Sequence, residues 1–397
     1  MATDLCKERK LTERPITKKP AESHILPLIA ITLLLTGFGL TIIYSSSGIS
    51  AYHKFADSAF FFRKQLLAIF IGAIFFVSII KIPFSWIDHL TLPSVLIATI
   101  LLTLTLIEGF NYSANGAARW LRIGSFTFQP AEFTKLSIVL FLSRNIGRSG
   151  FNIRKFWSGI FPNIVVVAMA SALLMKQPDF GSTALLFTLL FVMLFVAGLS
   201  YKYIAIALAF ALTGVTAAII QAPYRLERLV SFLDPWRHIQ KSGFQIIQSY
   251  LGFHNGGLLG LGLGESRQKL YFLPEAHTDF ILSVVGEELG LFGVLFVVAS
   301  FFYLTYLGFK ITSKQSQIQR QLLGFGLTSL IATQGAINMA VCMGILPTKG
   351  IPLPFLSYGA SSTLMFFATI ALLAKLDREA EAPLASAAPC ESPLTTP

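Results

Sequence analysis

Long apolar runs separated by short polar turns recur along the whole chain. Runs near 25–44, 65–82, 90–107, 130–146, 163–177, 180–198, 201–220, 280–306, 321–346 and 353–374 approach the roughly 20 residues a helix needs to cross a hydrocarbon core. In lipid every backbone polar group must be paired within the segment, so such runs are helices. The pattern predicts an all-α membrane protein, a polytopic bundle of about ten transmembrane helices, with nine as the alternative count. The fifth run is short, and only KQPDFG parts it from the sixth. A tight hairpin is expected there, with Pro178 and Gly181 at the helix ends.

One connection is long. Residues 221–279 join spans seven and eight, and a link of that length inside a compact domain is usually functional. Within it RLERLVSFLDPW sets Leu226, Leu229, Val230 and Leu233 at helical spacing beside Arg225 and Arg228. This predicts a short helix on the membrane surface, stopped by Pro235. GFQIIQSYLGF is a candidate second helix, and NGGLLGLGLGES carries five glycines between Gly256 and Gly264, enough to let the loop fold closely against other backbone. A dinucleotide fingerprint would need a preceding strand and a soluble fold.

Composition agrees with the pattern. The chain is 54% hydrophobic and 13% charged with a mean hydropathy of +0.67, outside the balance of a soluble domain. Its net charge of +11 follows topology. Lys7, Arg9, Lys10, Arg14, Lys18 and Lys19 precede span one; Arg144, Arg148, Arg154 and Lys155 follow span four; Lys310, Lys314 and Arg320 follow span eight. With ten spans all of these fall on the cytoplasmic side, both tails are cytoplasmic, and the 221–279 loop is extracytoplasmic. No nucleic-acid footprint is needed to explain the charge. Span one is read as an uncleaved signal anchor. The expected organisation is a disordered basic tail over 1–23, a membrane domain over 24–376 and a disordered Ala-, Pro- and Ser-rich tail over 377–397. Cys6, Cys342 and Cys390 lack any paired spacing, and no metal site is predicted from side chains alone.

Candidate chemistry gathers at the outward helix ends. LPEAHTDF places Glu275, His277, Thr278 and Asp279 at the mouth of span eight, with Glu287 and Glu288 deeper in it. Ionisable groups at such depth must face protein, water or a cation. The plainer reading makes Thr278 or Asp279 a helix cap. Ser283, Gly286, Gly290 and Gly293 form a bare stripe below Asp279, which fits either close helix packing or a lipid-chain groove. NGAARWLRIGSFTFQPAEFTKL supplies Arg119 and Arg122, then Glu132 and Lys135 one helical turn apart, where an internal ion pair is the plainer reading. LPTKGIPLPFLSYGASS contributes Lys349, Ser357, Tyr358, Ser361 and Ser362, with snorkelling as the plainer role for Lys349. Together these segments offer an anion site beside a candidate base.

NGAARW, QPAEFTKL, KQPDFGS, ESRQKLYFLPEAHTDF, GEELGLFG and PTKGIPLPFLSYGASS, in this order, resemble the SEDS family of bacterial cell-wall proteins over roughly residues 25–376. SRQKLYFLPEAHTDF and LPTKG resemble the FtsW-type division branch more than the RodA elongation branch, which typically has Arg at the place of Ala276 and no Lys matching Lys349. The resemblance implies a peptidoglycan glycosyltransferase that polymerises lipid II on the outer face of the plasma membrane at the division septum. It implies as partners a class B penicillin-binding protein, other divisome proteins and membrane lipids. It puts the catalytic aspartate on Asp279 and substrate-binding positions on Arg119, Glu132 and Lys135. Lys349, Glu275, His277 and Ser357 are added as substrate-binding candidates. Two departures stand out: Ala360, where Gly is more usual, and Tyr271, where some members carry an acid.

The fitting mechanism is one inverting displacement. Asp279 takes the acceptor hydroxyl proton while cations hold the pyrophosphate leaving group. A divalent cation, magnesium or manganese, accompanying the pyrophosphate is the only cofactor expected. The alternatives are a lipid II flippase and a non-catalytic divisome scaffold that recruits the synthase. The topology is open to a direct test. A reporter active only outside the cytoplasm should report when fused after Gln240 and stay silent after Arg154; the reverse pattern would turn the map over.

Overall fold

The computed structural model describes residues 23–114, 117–124, 126–220, 223–239, 243–266, 268 and 276–381. Helices stand at all ten predicted positions: α1 (Ile25–Phe55), α2 (Phe60–Lys81), α3 (Phe84–Leu104), α4 (Pro130–Gly147), α5 (Phe161–Lys176), α6 (Phe180–Val196), α7 (Tyr201–Ile220), α10 (Ile281–Ser313), α11 (Ile318–Cys342) and α12 (Ala360–Glu381). Among the described residues seven helices are long and apolar enough to cross a membrane. α6 is apolar but 17 residues long, and α4 carries Glu132, Lys135 and Arg144.

The long connection holds the two expected helices, α8 (Pro223–Leu233) and α9 (Gly243–Gly256). The hairpin at KQPDFG forms as predicted: Asp179 caps α6, its carboxylate accepting from the Ser182 amide at 3.1 Å. Beyond the all-α reading, residues 111–128 form a small antiparallel sheet in the order β1 (Asn111–Ala114), β2 (Ala117–Ile123), β3 (Phe126–Phe128). Its register pairs Leu121 with Phe128. The Asn115–Gly116 dipeptide is a two-residue hairpin signal that helical periodicity overshadowed. The domain boundary expected at 376 falls inside α12: Asp377 is fully buried and pairs with Lys314 Nζ at 3.2 Å.

Two apolar cores hold the bundle. The larger joins α1, α10, α11 and α12 through residues such as Leu35, Ile42, Val297, Leu327 and Phe366. The smaller joins α3 to α6 through Leu102, Ile138, Leu142, Leu174 and Leu190.

α10 is broken at Gly290, whose backbone is non-helical (φ 63°, ψ −158°). A break in a membrane helix frees carbonyls that need donors. The glycine-rich loop after α9 supplies them: Leu261 N–H donates to the Glu287 carbonyl at 3.0 Å and Gly262 N–H to the Glu288 carbonyl at 2.9 Å. In return Leu291 N–H donates to the Gly257 carbonyl at 2.9 Å. The bare stripe is therefore a packing surface and not a lipid groove. Ser249 of α9 meets Ser283 at 2.5 Å, and a methyl group on Gly286 would overlap the Phe253 ring. Glu287 and Glu288 are fully buried. Ser266 Oγ and Gln268 N donate to Glu287, and Ser45 Oγ donates to Glu288 at 2.5 Å.

Gly260 (φ +81°) would place a methyl group into the Glu288 carbonyl, whereas Gly264 (φ +88°) faces open space. Both alanine variants carry a left-handed backbone cost of roughly 1–2 kcal/mol. Gly260→Ala alone adds overpacking of about 1–3 kcal/mol. Its melting temperature in detergent should fall clearly below that of Gly264→Ala; equal values would mean the loop is not docked on the broken helix.

Candidate active site

Three segments converge at one end of the bundle. The turn 276–280 brings Asp279, β2 brings Arg119, and the 343–359 connection brings Lys349. Arg119 and Lys349 line a cavity with Asp179, Phe180, Arg228 and Gly350, and Asp279 adjoins it through Gly350.

Asp279 is half-buried, one residue before the cap position of α10. That position is Phe280, which makes no side-chain cap. The backbone of Asp279 is anchored instead. Its carbonyl accepts from Asn338 Nδ2 at 2.9 Å and from Cys342 Sγ at 3.4 Å. Asn338 Nδ2 also donates to the Ile351 carbonyl at 2.8 Å. One carboxamide thus ties the turn carrying Asp279 to the connection carrying Lys349. The two chains touch at Gly350, where a Cβ would lie 3.1 Å from Asp279 Oδ2.

The cations are held with equal economy. Arg119 donates from Nε to the Gln177 carbonyl at 3.1 Å and from Nη2 to the Pro178 carbonyl at 2.6 Å, which fixes the sheet on the α5–α6 hairpin. Lys349 Nζ lies 4.2 Å from the centre of the Phe180 ring. Arg228 of α8 reaches the Thr348 carbonyl at 3.5 Å. The carboxylate of Asp179 accepts from Ser182 through both N–H and Oγ, and the three cations Arg119, Arg228 and Lys349 outnumber it in the cavity lining.

Other candidates lie elsewhere. Lys135 is 2% exposed and Glu132 3%, paired at 2.6 Å, and Lys135 Nζ also donates to Gln334 Oε1 at 2.6 Å. Gln334 Nε2 continues to the Pro352 carbonyl at 3.1 Å. This pair sits behind the site, not in it. His277 is half-buried with its ring 4.7 Å from Phe61 and 5.7 Å from Tyr358, and its carbonyl accepts from Tyr358 N–H at 2.9 Å. Burial pushes the Tyr358 phenol up to about 12, so it stays neutral at physiological pH. Ser357 is buried, its Oγ accepting from Leu353 N–H at 2.9 Å, a contact internal to its own loop. Glu275 lies outside the described residues.

Arg228, Gln334 and Asn338 are the residues that reading by segment left aside. Gln334 and Asn338 are two carboxamides one turn apart inside an apolar span, and intramembrane polar groups of that kind are themselves a signal.

A family model described as cell cycle protein, FTSW_RODA_SPOVE, matches residues 26–382. A Geobacter metallireducens protein named probable peptidoglycan glycosyltransferase FtsW is 37% identical over 355 residues, covering 89% of this chain and 95% of that one. Stage V sporulation protein E of Bacillus subtilis is 38% identical over 364 residues, covering 91% and 99%. Among solved structures, a chain of a peptidoglycan synthase complex that coordinates polymerization and crosslinking superposes with a TM-score of 0.74 at 24% identity, covering 89% of this chain and 98% of that one. Rod shape determining protein RodA of Thermus thermophilus superposes at 0.66 and 23% identity, covering 89% and 96%.

The buried pair generates its own prediction. Lys135→Met strands the Glu132 carboxylate in the bundle and should cost about 3–5 kcal/mol of stability, read as a lower melting temperature. Lys135→Met with Glu132→Gln should recover most of it. A double variant as unstable as the single would show that the charge pair is not what holds α4 to α11.

Proposed function

Because this chain belongs to the FtsW, RodA and SpoVE family of cell cycle proteins, we propose that it is a peptidoglycan glycosyltransferase acting during cell division. It polymerises lipid II into glycan strands at the outer face of the plasma membrane. The carrying observation is the Asp279 carboxylate packed on Gly350, a residue that lines a cavity together with Arg119, Arg228 and Lys349.

The chemistry follows from that arrangement. The hydroxyl oxygen of the acceptor sugar forms a bond to the anomeric carbon of the donor, and the bond from that carbon to the pyrophosphate breaks with inversion. Asp279 takes the hydroxyl proton as general base. Arg119, Arg228 and Lys349 stabilise the charge that collects on the departing polyprenyl pyrophosphate. No acid is needed for that leaving group, unlike the paired carboxylates of a glycosidase. Glu132 and Lys135 act through Gln334 on the Pro352 carbonyl, which positions the loop bearing Lys349. His277, packed between Phe61 and Tyr358, positions the turn that carries Asp279. A magnesium or manganese ion accompanying the pyrophosphate would find Asp179 in the cavity lining and Asp279 beside Gly350 as carboxylate ligands, and would neutralise leaving-group charge, since such ions take few protein ligands and keep water. Among the described residues no cluster of three His, Cys, Asp or Glu stands ready for a metal, so an ion there would depend on the phosphates.

The protein works as a multi-pass membrane protein with both tails cytoplasmic, at the septum, beside a class B penicillin-binding protein and other divisome proteins. A complex that couples polymerization to crosslinking, built on the same fold, supports that pairing. The flippase alternative requires a polar path across the bundle. The deepest acids, Glu287 and Glu288, are fully buried against Ser266, Gln268 and Ser45, which favours a one-sided site.

Purified protein is incubated with fluorescent lipid II, with and without the partner synthase, and the glycans are separated by size. Asp279→Asn keeps the side-chain shape but cannot accept the proton, and should lose 10²–10⁴ in rate, roughly 3–5 kcal/mol. His277→Gln should retain substantial activity. Polymer from the Asn variant at near wild-type rate would remove the base and reopen the flippase and scaffold readings.

A further inference from the structure

The opposite end of the bundle carries a second cavity. At the end where His24 N–H meets Asp377, bringing the start of α1 to the end of α12, a space of about 410 Å³ opens between the ends of α2 and α12. It is lined by Ile80, Lys81, Lys375, Arg378 and Glu379. That is more than ten times the ~30 Å³ a water molecule takes up in the liquid.

Lys375 is the residue that makes this cavity unusual. It is 5% exposed, and an ammonium has three N–H donors to satisfy. One reaches the Ile80 carbonyl at 3.3 Å. Glu379 Oε1 stands off at 3.7 Å, and the Phe84 ring lies 5.0 Å away. The other oxygen of Glu379 is held at 3.0 Å by Arg320. One carboxylate is therefore divided between two cations. Lys81 and Arg378, both exposed, have no ion-pair partner among the described residues.

Cytoplasmic lysines and arginines need no ligand when they are solvated. A buried ammonium whose partners among the described residues are one carbonyl, a shared carboxylate at 3.7 Å and a ring face is different, because its desolvation is compensated only in part. An anion in the cavity would complete it. The surroundings identify that anion. The face of α2 leading to the cavity exposes Phe70, Ile74 and Val77, a surface for an acyl chain. Trp86, 65% exposed just after the α2–α3 turn, marks the headgroup level. We propose that this cavity binds the phosphate of an anionic glycerophospholipid of the inner leaflet, with Lys375 at its base and Lys81 and Arg378 at its rim. The binding is independent of the reaction at the outward end.

The test is native mass spectrometry of the purified full chain with phosphatidylglycerol, phosphatidylcholine of the same acyl chains, and sn-glycerol 3-phosphate. Wild type should retain phosphatidylglycerol well above phosphatidylcholine. Lys81→Gln with Arg378→Gln changes only exposed side chains and should cut that preference about 25-fold, fivefold per cation at ~1 kcal/mol each. Lys375→Met should cut it further, and if that variant is unstable the rim pair still decides. An unchanged preference in the rim variant, or none in wild type, would overturn the proposal. So would displacement of the lipid by sn-glycerol 3-phosphate at equal concentration, which would make the ligand a soluble phosphate.

Discussion

The carboxamide of Asn338 is the contact on which the Asp279 end of the bundle depends. Two carbonyls there, those of Asp279 and Ile351, accept from the same Nδ2. Neither belongs to a regular helix, so without this donor both would sit at the membrane boundary with much of their hydrogen bonding unmade. Because one nitrogen serves both, the turn that carries the proposed base and the loop that carries the cation Lys349 cannot move apart independently. Gly350 keeps the approach close, since a Cβ there would lie 3.1 Å from Asp279 Oδ2 and the carboxylate would have to shift by a few tenths of an ångström.

Behind that contact lies a second layer in which charge is spent on shape. Lys135 is satisfied by Glu132 and Gln334, and Gln334 passes the constraint to the Pro352 carbonyl. A buried ion pair of this kind contributes little net stability over apolar packing. Here it sets the position of one loop relative to α4 and α11. The broken α10 follows the same logic with backbone groups: the Gly290 break would orphan carbonyls in the bilayer, and the glycine-rich loop donates to them. A loop after α9 thereby becomes part of a membrane helix.

The two ends of the bundle differ in how their cations are used. At the Asp279 end, Arg119 is held by carbonyls and Lys349 by an aromatic face, and both line a cavity. At the opposite end, Lys375 is buried with a distant and shared carboxylate. The first arrangement suits a leaving group that arrives and departs. The second suits a lipid that stays.

Much of this was legible without coordinates. Hydrophobic periodicity placed the helices because lipid leaves an apolar 20-residue run no other conformation, and the charged motifs marked the outward ends because ionisable residues there must have partners. Periodicity could not reveal the sheet at 111–128, whose short strands carry weak alternation, nor the helical end of α12, whose Asp377 is stabilised by Lys314 from a distant element. Role assignment had a harder limit. Lys135 and Lys349 look alike as lysines that follow a proline by a few residues at one end of the bundle, yet one is closed inside an ion pair and the other lines the cavity. That difference comes from side chains on other elements: Gln334 accepts from Lys135 Nζ, while Arg228 and Asn338 hold the Thr348 and Ile351 carbonyls on either side of Lys349. Sequence alone determines which groups must find partners in a bilayer; which partner each one finds is decided by tertiary packing, because hydrogen bonds act over about 3 Å and carry no record of chain separation.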